Sequence, residues 1–368
     1  MGYSSHGYFY ARSAGQDKFQ EPQTYPGAPV FFKENKKGGT LTDLSILELA
    51  IIRDGGSAGE AIEHTVEAAR HAESLGFKRI WLAEHHNMPH VASSATAVLI
   101  GHVAEKTKQI RVGSGGIMLP NHSPLIVAEQ FGTLEALYPG RIDLGLGRAP
   151  GTDQLTAQAI RRENLNAAFS FPADVRQLQK YFGNTDEDMK VRAFPGEGAR
   201  VPLWILGSST DSAYLAAEMG LPYAFAAHFA PQQLYPAMDI YRKNFKASAT
   251  LDKPKMMICV NVIAADTDEE AQFLSTSLIR MFIGIVTNSR QPLMPPQALP
   301  EIFYQHQELK YMVENMLSYT FIGSKETLRK SLSAFIADTG VDELMVTSYF
   351  YDMEAKLKSL SLVREALG

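Results

Sequence analysis

Cysteine is almost absent from this sequence. Cys259 is the single cysteine among 368 residues, which excludes an internal disulfide and a cysteine metal cluster. Scarcity of cysteine suits a reducing compartment, and we expect a cytoplasmic protein. The sequence also lacks any run of about 18 apolar residues, so we expect no membrane-spanning helix. Residues 1–19 contain no apolar segment of the kind found in secretory signals, so we expect no such signal.

An excess of basic residues is also missing. The chain has 35 Lys and Arg against 40 Asp and Glu, a net charge of −5, which argues against nucleic-acid binding through a basic surface. No G-x-G-x-x-G motif follows the first strand-like run, which weakens a dinucleotide-binding interpretation. Hydrophobic residues make up 45% of the chain, and this composition is that of an ordinary globular protein with a large core.

From residue 41 onward the pattern of apolar residues becomes regular. Eight apolar runs of strand type alternate with segments of helical spacing, the first of which has Ser57 as a start signal and Gly76 as a stop. Such alternation is typical of parallel strands covered by helices. Eight units predict an α/β fold of the (β/α)8 TIM-barrel type. A doubly wound open sheet is the alternative.

The domain organisation follows from where this regularity begins and where it is interrupted. We expect residues 1–40, which lack helical or strand periodicity, to be an irregular N-terminal extension, and residues 41–368 to be the barrel domain. Two insertions interrupt the alternation. The insertion near residues 149–200 contains helical segments and a polar loop. The insertion near residues 287–320 is rich in Pro and Gln and is predicted to be irregular.

A cluster of titratable residues follows the second predicted strand, in the stretch WLAEHHNMPH. Glu84, His85 and His86 come directly after the apolar run RIWLA, and in a barrel the loops after the strands build the active site. Imidazole changes charge near neutral pH, and a neighbouring carboxylate can set its tautomer and basicity. The three are therefore candidate catalytic residues. A hydrogen-bonded loop cluster without a catalytic role is the alternative.

Other strand ends carry candidate ligand-binding residues. After the third strand, Gly115 and Gly116 let a flat ligand approach the backbone, although a β-bulge would also need them. Asn121 and His122 lie in the loop that follows. After the fourth strand, Arg148 suits a phosphate or carboxylate, or a surface ion pair.

The fifth strand ends in a Gly-Ser-Ser turn that opens a helix. Gly207, Ser208 and Ser209 form this turn, and free backbone N–H groups at a helix start bind anions such as phosphate. A plain helix cap is the alternative. Together the strand ends predict one pocket with a phosphate end, a flat floor and a His/Glu end. We predict no metal site, because the adjacent side chains of the EHH stretch diverge.

Six stretches in order resemble the bacterial luciferase-like flavin monooxygenase family. They are LSILELA, GFKRIWLAEHHNMP, IRVGSGGIMLPNHSPLIVAEQF, YPGRIDLGLGRAPGTD, VPLWILGSSTDSAYLAAEMGLPYAFAAHF and VNVIAADTDEEA, and the likeness covers roughly residues 42–367. It is closest to the broad single-component group of luciferase-like oxidoreductases. The resemblance implies a (β/α)8 barrel that binds reduced FMN and reacts it with oxygen.

The resemblance also assigns roles to particular residues. His85 matches the histidine beside the flavin, with Glu84 and His86 as its neighbours in the motif. Gly115 and Gly116 match a small-residue pair joined by a non-proline cis peptide bond.

The phosphate end is also matched by the resemblance, in part. Arg148 matches an arginine that contacts the flavin phosphate, Ser208 matches a phosphate-binding serine, and Ser212 lies one helical turn on. The chain departs from luciferase at Gly207, where luciferase has a glutamate, and at Gly147, where luciferase has a reactive cysteine.

The function expected from these observations is that of a flavin-dependent monooxygenase. Reduced FMN, supplied by a separate flavin reductase, and O2 would oxidise a small organic substrate, with His85 moving a proton and Glu84 orienting it. A deazaflavin-dependent oxidoreductase and a non-catalytic flavin-binding protein are the alternatives. The resemblance further implies a homodimer formed through the helices at residues 93–106 and 123–137.

Overall fold

Eight parallel strands close into a barrel, which confirms the predicted (β/α)8 TIM-barrel fold. The structure is a computed structural model that describes residues 42–161, 167–183 and 189–368; the predicted N-terminal extension, residues 1–40, lies outside them. The barrel strands are β1 (Asp43–Glu48), β2 (Arg79–Leu82), β3 (Arg111–Met118), β4 (Ile142–Gly147), β5 (Leu203–Gly207), β6 (Tyr223–Ala226), β7 (Met256–Ala264) and β9 (Glu343–Thr347).

The strand order follows the sequence, and the barrel closes where β9 pairs with β1. One further strand, β8 (Thr320–Gly323), pairs with the last residues of β7 beyond the stretch that pairs with β6. The sequence did not predict β8, because its four residues give too short a pattern to separate from the preceding insertion.

Twelve α-helices lie in the described part of the chain, and none is long and apolar enough to cross a membrane. They are α1 (Ala58–Ser74), α2 (Thr96–Lys106), α3 (Pro124–Leu137), α4 (Gln154–Arg161), α5 (Ala167–Phe182), α6 (Thr210–Met219), α7 (Leu234–Asn244), α8 (Asp268–Val286), α9 (Glu301–Gln305), α10 (Gln307–Met316), α11 (Lys325–Thr339) and α12 (Met353–Leu367). The prediction of an irregular stretch at 287–320 is therefore wrong for α9 and α10, whose short apolar spacing was obscured by the Pro-rich approach.

Local sequence signals account for several helix ends. Ser57 caps α1 in a capping box with Glu60, whose backbone N–H donates to the Ser57 side chain. Gly76 follows the end of α1 with a φ of 74°, a conformation that favours glycine. Thr267 caps α8, whose first turn is acidic and so complements the helix dipole.

The barrel interior is filled by large apolar side chains. Trp81 of β2 and Trp204 of β5 meet edge to face with ring centroids 5.4 Å apart, and Met257, Cys259 and Met345 pack in the same interior cluster. Since successive side chains of a strand alternate in direction, this cluster defines the inward-facing positions of each strand.

Charged side chains close the end of the barrel where the strands begin. The Arg79 guanidinium donates to Glu343 Oε1 and to Asp143 Oδ2, each at 2.6 Å. Arg111 donates to the other Asp143 oxygen at 2.6 Å, and the Ser45 hydroxyl donates to Glu343. Asp143 and Glu343 are fully buried. The hydrogen bonds place an opposite charge beside each of them, which offsets the cost of burying a charge.

Candidate active site

The polar residues predicted to form the site lie at the opposite end of the barrel. Parallel strands end at the same rim, so the loops after β2, β3, β4 and β5 surround one mouth. A contact between two of these loops is direct: the His86 backbone N–H donates to the Gly151 carbonyl at 3.3 Å. The loop after β2 is therefore joined to the loop after β4.

Glu84 is the centre of a hydrogen-bonded cluster. Its buried carboxylate accepts from His86 Nε2 at 2.9 Å and from His122 Nε2 at 2.9 and 3.0 Å. The Met118 backbone N–H donates to it at 3.1 Å. Burial alone would raise the pKa of Glu84, but the hydrogen bonds from His122 and His86 outweigh burial and lower it to about 2. Glu84 is therefore a carboxylate at neutral pH.

His85 stands apart from this cluster. Its Nδ1 lies 3.3 Å from the Gly151 carbonyl oxygen. A carbonyl can only accept, so Nδ1 carries the proton and Nε2 keeps the lone pair in the neutral ring. The expectation that Glu84 orients His85 is therefore wrong, because adjacent residues point in different directions and Glu84 contacts His86 and His122. Burial is the largest cause that lowers the pKa of His85, which favours the neutral ring.

Asn121 links the loops of the rim. Its amide nitrogen donates to the Pro150 carbonyl at 2.9 Å, and its amide oxygen accepts from Arg161 Nε at 2.9 Å. The nitrogen is also 3.4 Å from Glu84 Oε1. Both ends of the side chain thus contact other parts of the protein and position Glu84 and the loop after β4. The role of Asn121 in cofactor binding stays a prediction.

Gly115 and Gly116 lie where β3 passes β4, and the peptide bond between them is cis, as the resemblance implied. The register of β3 and β4 shifts at this point, so the bulge interpretation also holds. A Cβ on Gly115 would lie 2.7 Å from Leu47 Cδ1, and one on Gly116 would lie 2.7 Å from the Gly145 carbonyl oxygen. Glycine is required here by the barrel's own packing.

Arg148 and the start of α6, which we predict to bind an anion, lie side by side at the rim. Arg148 lies 3.6 Å from Asp211, a first-turn residue of α6, and half of the Arg148 side chain is exposed. Ser209 caps α6, with its hydroxyl 3.5 Å from the Ser212 backbone N–H. Ser208 makes no side-chain hydrogen bond within the described residues. Arg148 therefore lies beside the first turn of α6, the helix that begins directly after Ser208 and Ser209.

Ser212 and Gly207 pack against each other beneath this turn. The Ser212 hydroxyl donates to the Ser209 carbonyl at 2.7 Å and lies 2.9 Å from the Tyr223 hydroxyl. A Cβ on Gly207 would come within 2.0 Å of Ser212 Oγ. No side chain fits at position 207 while Ser212 holds this place, which explains the departure from the glutamate of luciferase. The Ser212 hydroxyl thus has two partners within the protein, and its role in cofactor binding stays a prediction.

The hydrogen-bonded cluster around Glu84 also bears on metal binding. The ligand atoms of Glu84, His86 and His122 all lie within 4.8 Å of one another, so this set could hold a divalent ion with two imidazoles and one carboxylate. The sequence argument against a metal site considered only His85 and His86, which do diverge, and missed that His122 arrives from the loop after β3. In this structure Nε2 of each histidine is hydrogen-bonded to the Glu84 carboxylate.

Two residues in the mouth escaped the sequence reasoning. His228 follows β6, and Asn261 lies within β7; both are buried. An asparagine inside the otherwise apolar run MMICVNVIAA was the available signal, since a buried amide needs hydrogen-bond partners. His228 gave no local signal, because only the closed barrel brings the end of β6 near His85 at the end of β2.

The fold and the site define a (β/α)8-barrel protein with its polar groups gathered at the mouth. The family described as luciferase-like monooxygenase matches residues 43–346. A luciferase-like monooxygenase of Escherichia coli (strain K12) is 49% identical over 87% of this chain and 96% of its own length. An N-acetyl-S-alkylcysteine monooxygenase of Bacillus subtilis (strain 168) is 30% identical over 88% and 98%. The chain belongs to the luciferase-like monooxygenase family.

Solved structures agree on the fold. Apo-MsnO8 superposes with a TM-score of 0.80 at 33% identity, over 88% of this chain and 98% of its own. The oxygenating constituent of 3,6-diketocamphane monooxygenase from Pseudomonas putida, in complex with FMN, gives 0.67 at 20%, over 89% and 97%. An F420-dependent secondary alcohol dehydrogenase gives 0.64 at 16%, over 89% and 100%. At the last two identities the likeness concerns the fold alone.

Proposed function

We propose that this protein is a flavin-dependent monooxygenase that uses reduced FMN and O2 to oxidise a small organic substrate. The observation that carries the proposal is the loop after β4. Arg148 at its start lies beside the first turn of α6, and Gly151, three residues later, contacts His85. Three residues span at most about 11 Å, so an anion-binding end and a titratable end share one short loop.

The residues present fit a flavin mononucleotide. Arg148 is half exposed and the Ser208 hydroxyl has no partner among the described residues, so both can receive a phosphate at the start of α6. Membership of the luciferase-like monooxygenase family is in keeping with a flavin cofactor. Bound reduced FMN would supply the electrons that activate O2.

His85 is the residue we assign to proton transfer. Because Nδ1 donates to the Gly151 carbonyl, the lone pair of Nε2 is free to accept a proton from, and return it to, a reacting group in the mouth. Burial lowers the pKa of His85, so the ring is ready to act as a base at neutral pH. Glu84 holds His86 and His122 in place and so keeps the loops after β2 and β3 together.

Anaerobic titration tests the cofactor. Purified protein is titrated with reduced FMN and, separately, with reduced F420, a deazaflavin, and oxygen is then admitted while absorbance spectra are recorded. Tight binding of reduced FMN followed by oxygen-dependent spectral change supports the proposal. Selective binding of F420 favours the deazaflavin-dependent oxidoreductase. Binding of FMN with no product across a broad substrate panel favours a non-catalytic flavin-binding protein.

A flavin reductase is the partner that this chemistry requires. The proposal needs reduced flavin, and the chain lacks the G-x-G-x-x-G motif of nicotinamide dinucleotide binding after its first strand. Product formation with NADH should therefore depend on an added reductase and FMN. Product formation from NADH and FMN alone would remove the need for this partner.

The second partner we propose is another copy of the chain. Helices α2 and α3 leave three apolar side chains exposed: Val98 is 72% exposed, Ile126 47% and Leu137 62%. Exposed apolar side chains on neighbouring helices suit a homodimer interface. Light scattering should give a dimer that Val98→Lys with Leu137→Lys converts to monomers, while Phe273→Lys on α8, also exposed, leaves it intact. A wild-type monomer contradicts the proposal.

A further inference from the structure

His228 and Asn261 are neighbours in the mouth of the barrel. Asn261 lies two residues after Cys259 in β7, so its side chain shares the inward direction of Cys259. His228 lies two residues after β6, the strand that pairs with the first half of β7. The Asn261 amide nitrogen donates to the His228 carbonyl at 2.6 Å. Neither residue belongs to the Glu84 cluster or to the anion end.

The hydrogen bonds of Asn261 leave one buried atom without a partner. Its nitrogen donates to the His228 carbonyl and to Thr320 Oγ1, the latter at 3.2 Å. Because a carbonyl can only accept, these contacts fix which end of the amide is the nitrogen. The amide oxygen is buried and has no partner among the described residues. Asn261 therefore presents a fixed, unused acceptor.

His228 presents a second unused ring atom. It is 8% exposed, and its Nδ1 is buried without a partner in the described part of the chain. Its ring lies edge to face with Phe229, with centroids 4.8 Å apart. Burial, with a further contribution from nearby His85, lowers the pKa of His228 to about 3, against the opposing effect of a hydrogen bond to the Cys259 backbone. The ring is therefore neutral.

These properties restrict what can bind. The groups that act on the His228 ring are His85 and the Cys259 backbone, with no carboxylate among them in the described residues, so a cationic ligand would lack a counter-charge. An anion would face the Asn261 amide oxygen, which is itself an acceptor. A neutral group with an N–H or O–H bond can donate a hydrogen bond to these buried atoms.

We propose that His228 and Asn261 form a subsite that binds a neutral N–H or O–H donor of the ligand lying beside His85. The inference rests on the proposed function, since that ligand is either the organic substrate or the ring N–H of the flavin. Both sources offer the same donor chemistry, and the experiment separates them. A ligand donor that loses its acceptor in a buried site weakens binding by about 10- to 100-fold.

The test uses His228→Phe, which keeps an aromatic ring and removes both nitrogens. His228→Gln restores an acceptor and should recover part of the lost affinity. His102→Phe is the matched control, because His102 on α2 also has a buried ring nitrogen without a partner in the described residues but lies outside the mouth. Thermal melting identifies any variant that fails to fold, in which case His228→Gln carries the comparison.

Two affinities are measured anaerobically. The first is that of reduced FMN, by fluorescence quenching. The second is that of N-acetyl-S-benzylcysteine and its N-methyl derivative for the FMN-loaded protein, by calorimetry; the probe follows the thioether class named for a relative. An FMN affinity lowered about 10-fold in His228→Phe assigns the subsite to the flavin. Loss of the wild-type preference for the N–H probe assigns it to the substrate.

The outcomes that overturn the inference are distinct from those that overturn the proposed function. Two results together would show that the subsite does not exist. The first is an FMN affinity that His228→Phe leaves unchanged. The second is a probe pair that the wild type does not discriminate, or that the wild type and the variant discriminate equally. Oxygen consumption by the wild type is recorded separately. Its absence would count against the monooxygenase while the two affinities still decide the role of His228 and Asn261.

Discussion

The two ends of the barrel both bury ionisable groups, but they treat them differently. Where the strands begin, Arg79, Asp143 and Glu343 form a network in which each charge meets its opposite at 2.6 Å. Where the strands end, His85 and His228 are neutral rings whose pKa values are lowered by burial. The first arrangement stabilises the fold, and the second leaves atoms available for a ligand.

The difference shows how burial alone is a poor guide to function. A buried charge with a full set of partners has no capacity left for a substrate, whereas a buried neutral ring with an unused nitrogen is costly unless something binds there. Glu84 is intermediate, since it lies at the mouth but is as fully paired as the network at the other end. The two ends of the barrel therefore differ more in the hydrogen-bond partners of their ionisable groups than in how deeply those groups are buried.

Removing Arg79 should give the largest effect on stability. Arg79→Leu leaves Glu343 with only Lys78 at 4.0 Å and Asp143 with Arg111 as its cationic partner. We expect a loss of about 3–5 kcal/mol in the free energy of unfolding. Urea denaturation measures it. Lys243→Ala, which breaks an exposed pair with Asp239, should cost less than about 1 kcal/mol. Equal losses of unfolding free energy in the two variants would mean that the buried network stabilises the fold no more than an exposed ion pair does.

Removing the His85 ring should give the largest effect on activity at the mouth. His85→Ala eliminates the Nε2 lone pair, and we expect product formation to fall about 100- to 10,000-fold, the range for a lost general acid–base. Affinity for reduced FMN should change less than about threefold, since we place the phosphate at Arg148. His71→Gln, at a site bonded to Ser361, is the control. Unchanged turnover in His85→Ala would contradict the proposed role of His85 in proton transfer.

Glu84 should give a pH-dependent effect. Its pKa is lowered from 4.5 to about 2, so the ionised form stabilises the fold fully above about pH 4.5, and this contribution disappears as the pH falls towards 2. It is about 3 kcal/mol at about 1.36 kcal/mol per pH unit. The stability difference between wild type and Glu84→Gln should therefore be large at pH 6 and small near pH 2.5. A difference independent of pH would contradict the assignment.

Arg148 should give the smallest of the four effects, because half of its side chain is exposed. Arg148→Ala should weaken binding of reduced FMN by about 10- to 100-fold, the cost of one charge-assisted hydrogen bond. Asp211→Asn removes the carboxylate 3.6 Å from Arg148 and should leave binding equal or tighter. Fluorescence quenching measures both. If Arg148→Ala binds FMN like the wild type, the anion end lies elsewhere.

Much of the fold could be predicted because its signals are local. The eight barrel strands are apolar runs separated by helices, and Ser57, Gly76 and Thr267 mark helix ends in short motifs. The strand β8 and the helix α9 were missed because they have only four and five residues, and α10 because it lies in the insertion with the Pro-rich stretch. Short elements depend on the surface they pack against, which no local pattern records.

The sequence predicted which loops carry the candidate site, but it did not predict the contacts between the side chains of those loops. Placing Glu84, His85 and Arg148 at one rim needed only the rule that parallel strands end together. Their partners needed coordinates: Glu84 meets His122 from another loop, Ser212 faces Gly207 and Tyr223, and Asn121 is held by Arg161. These contacts join residues far apart in the chain.

By itself the sequence determined the alternation of strands and helices, and with it the barrel and the rim that carries the EHH stretch, because hydrophobic periodicity and helix caps act over a few residues. Only the tertiary structure decided which histidine Glu84 holds, which nitrogen of His85 is free, and that His228 and Asn261 meet at the mouth. Those outcomes depend on barrel closure, which sets distances and directions between side chains that no sequence spacing encodes.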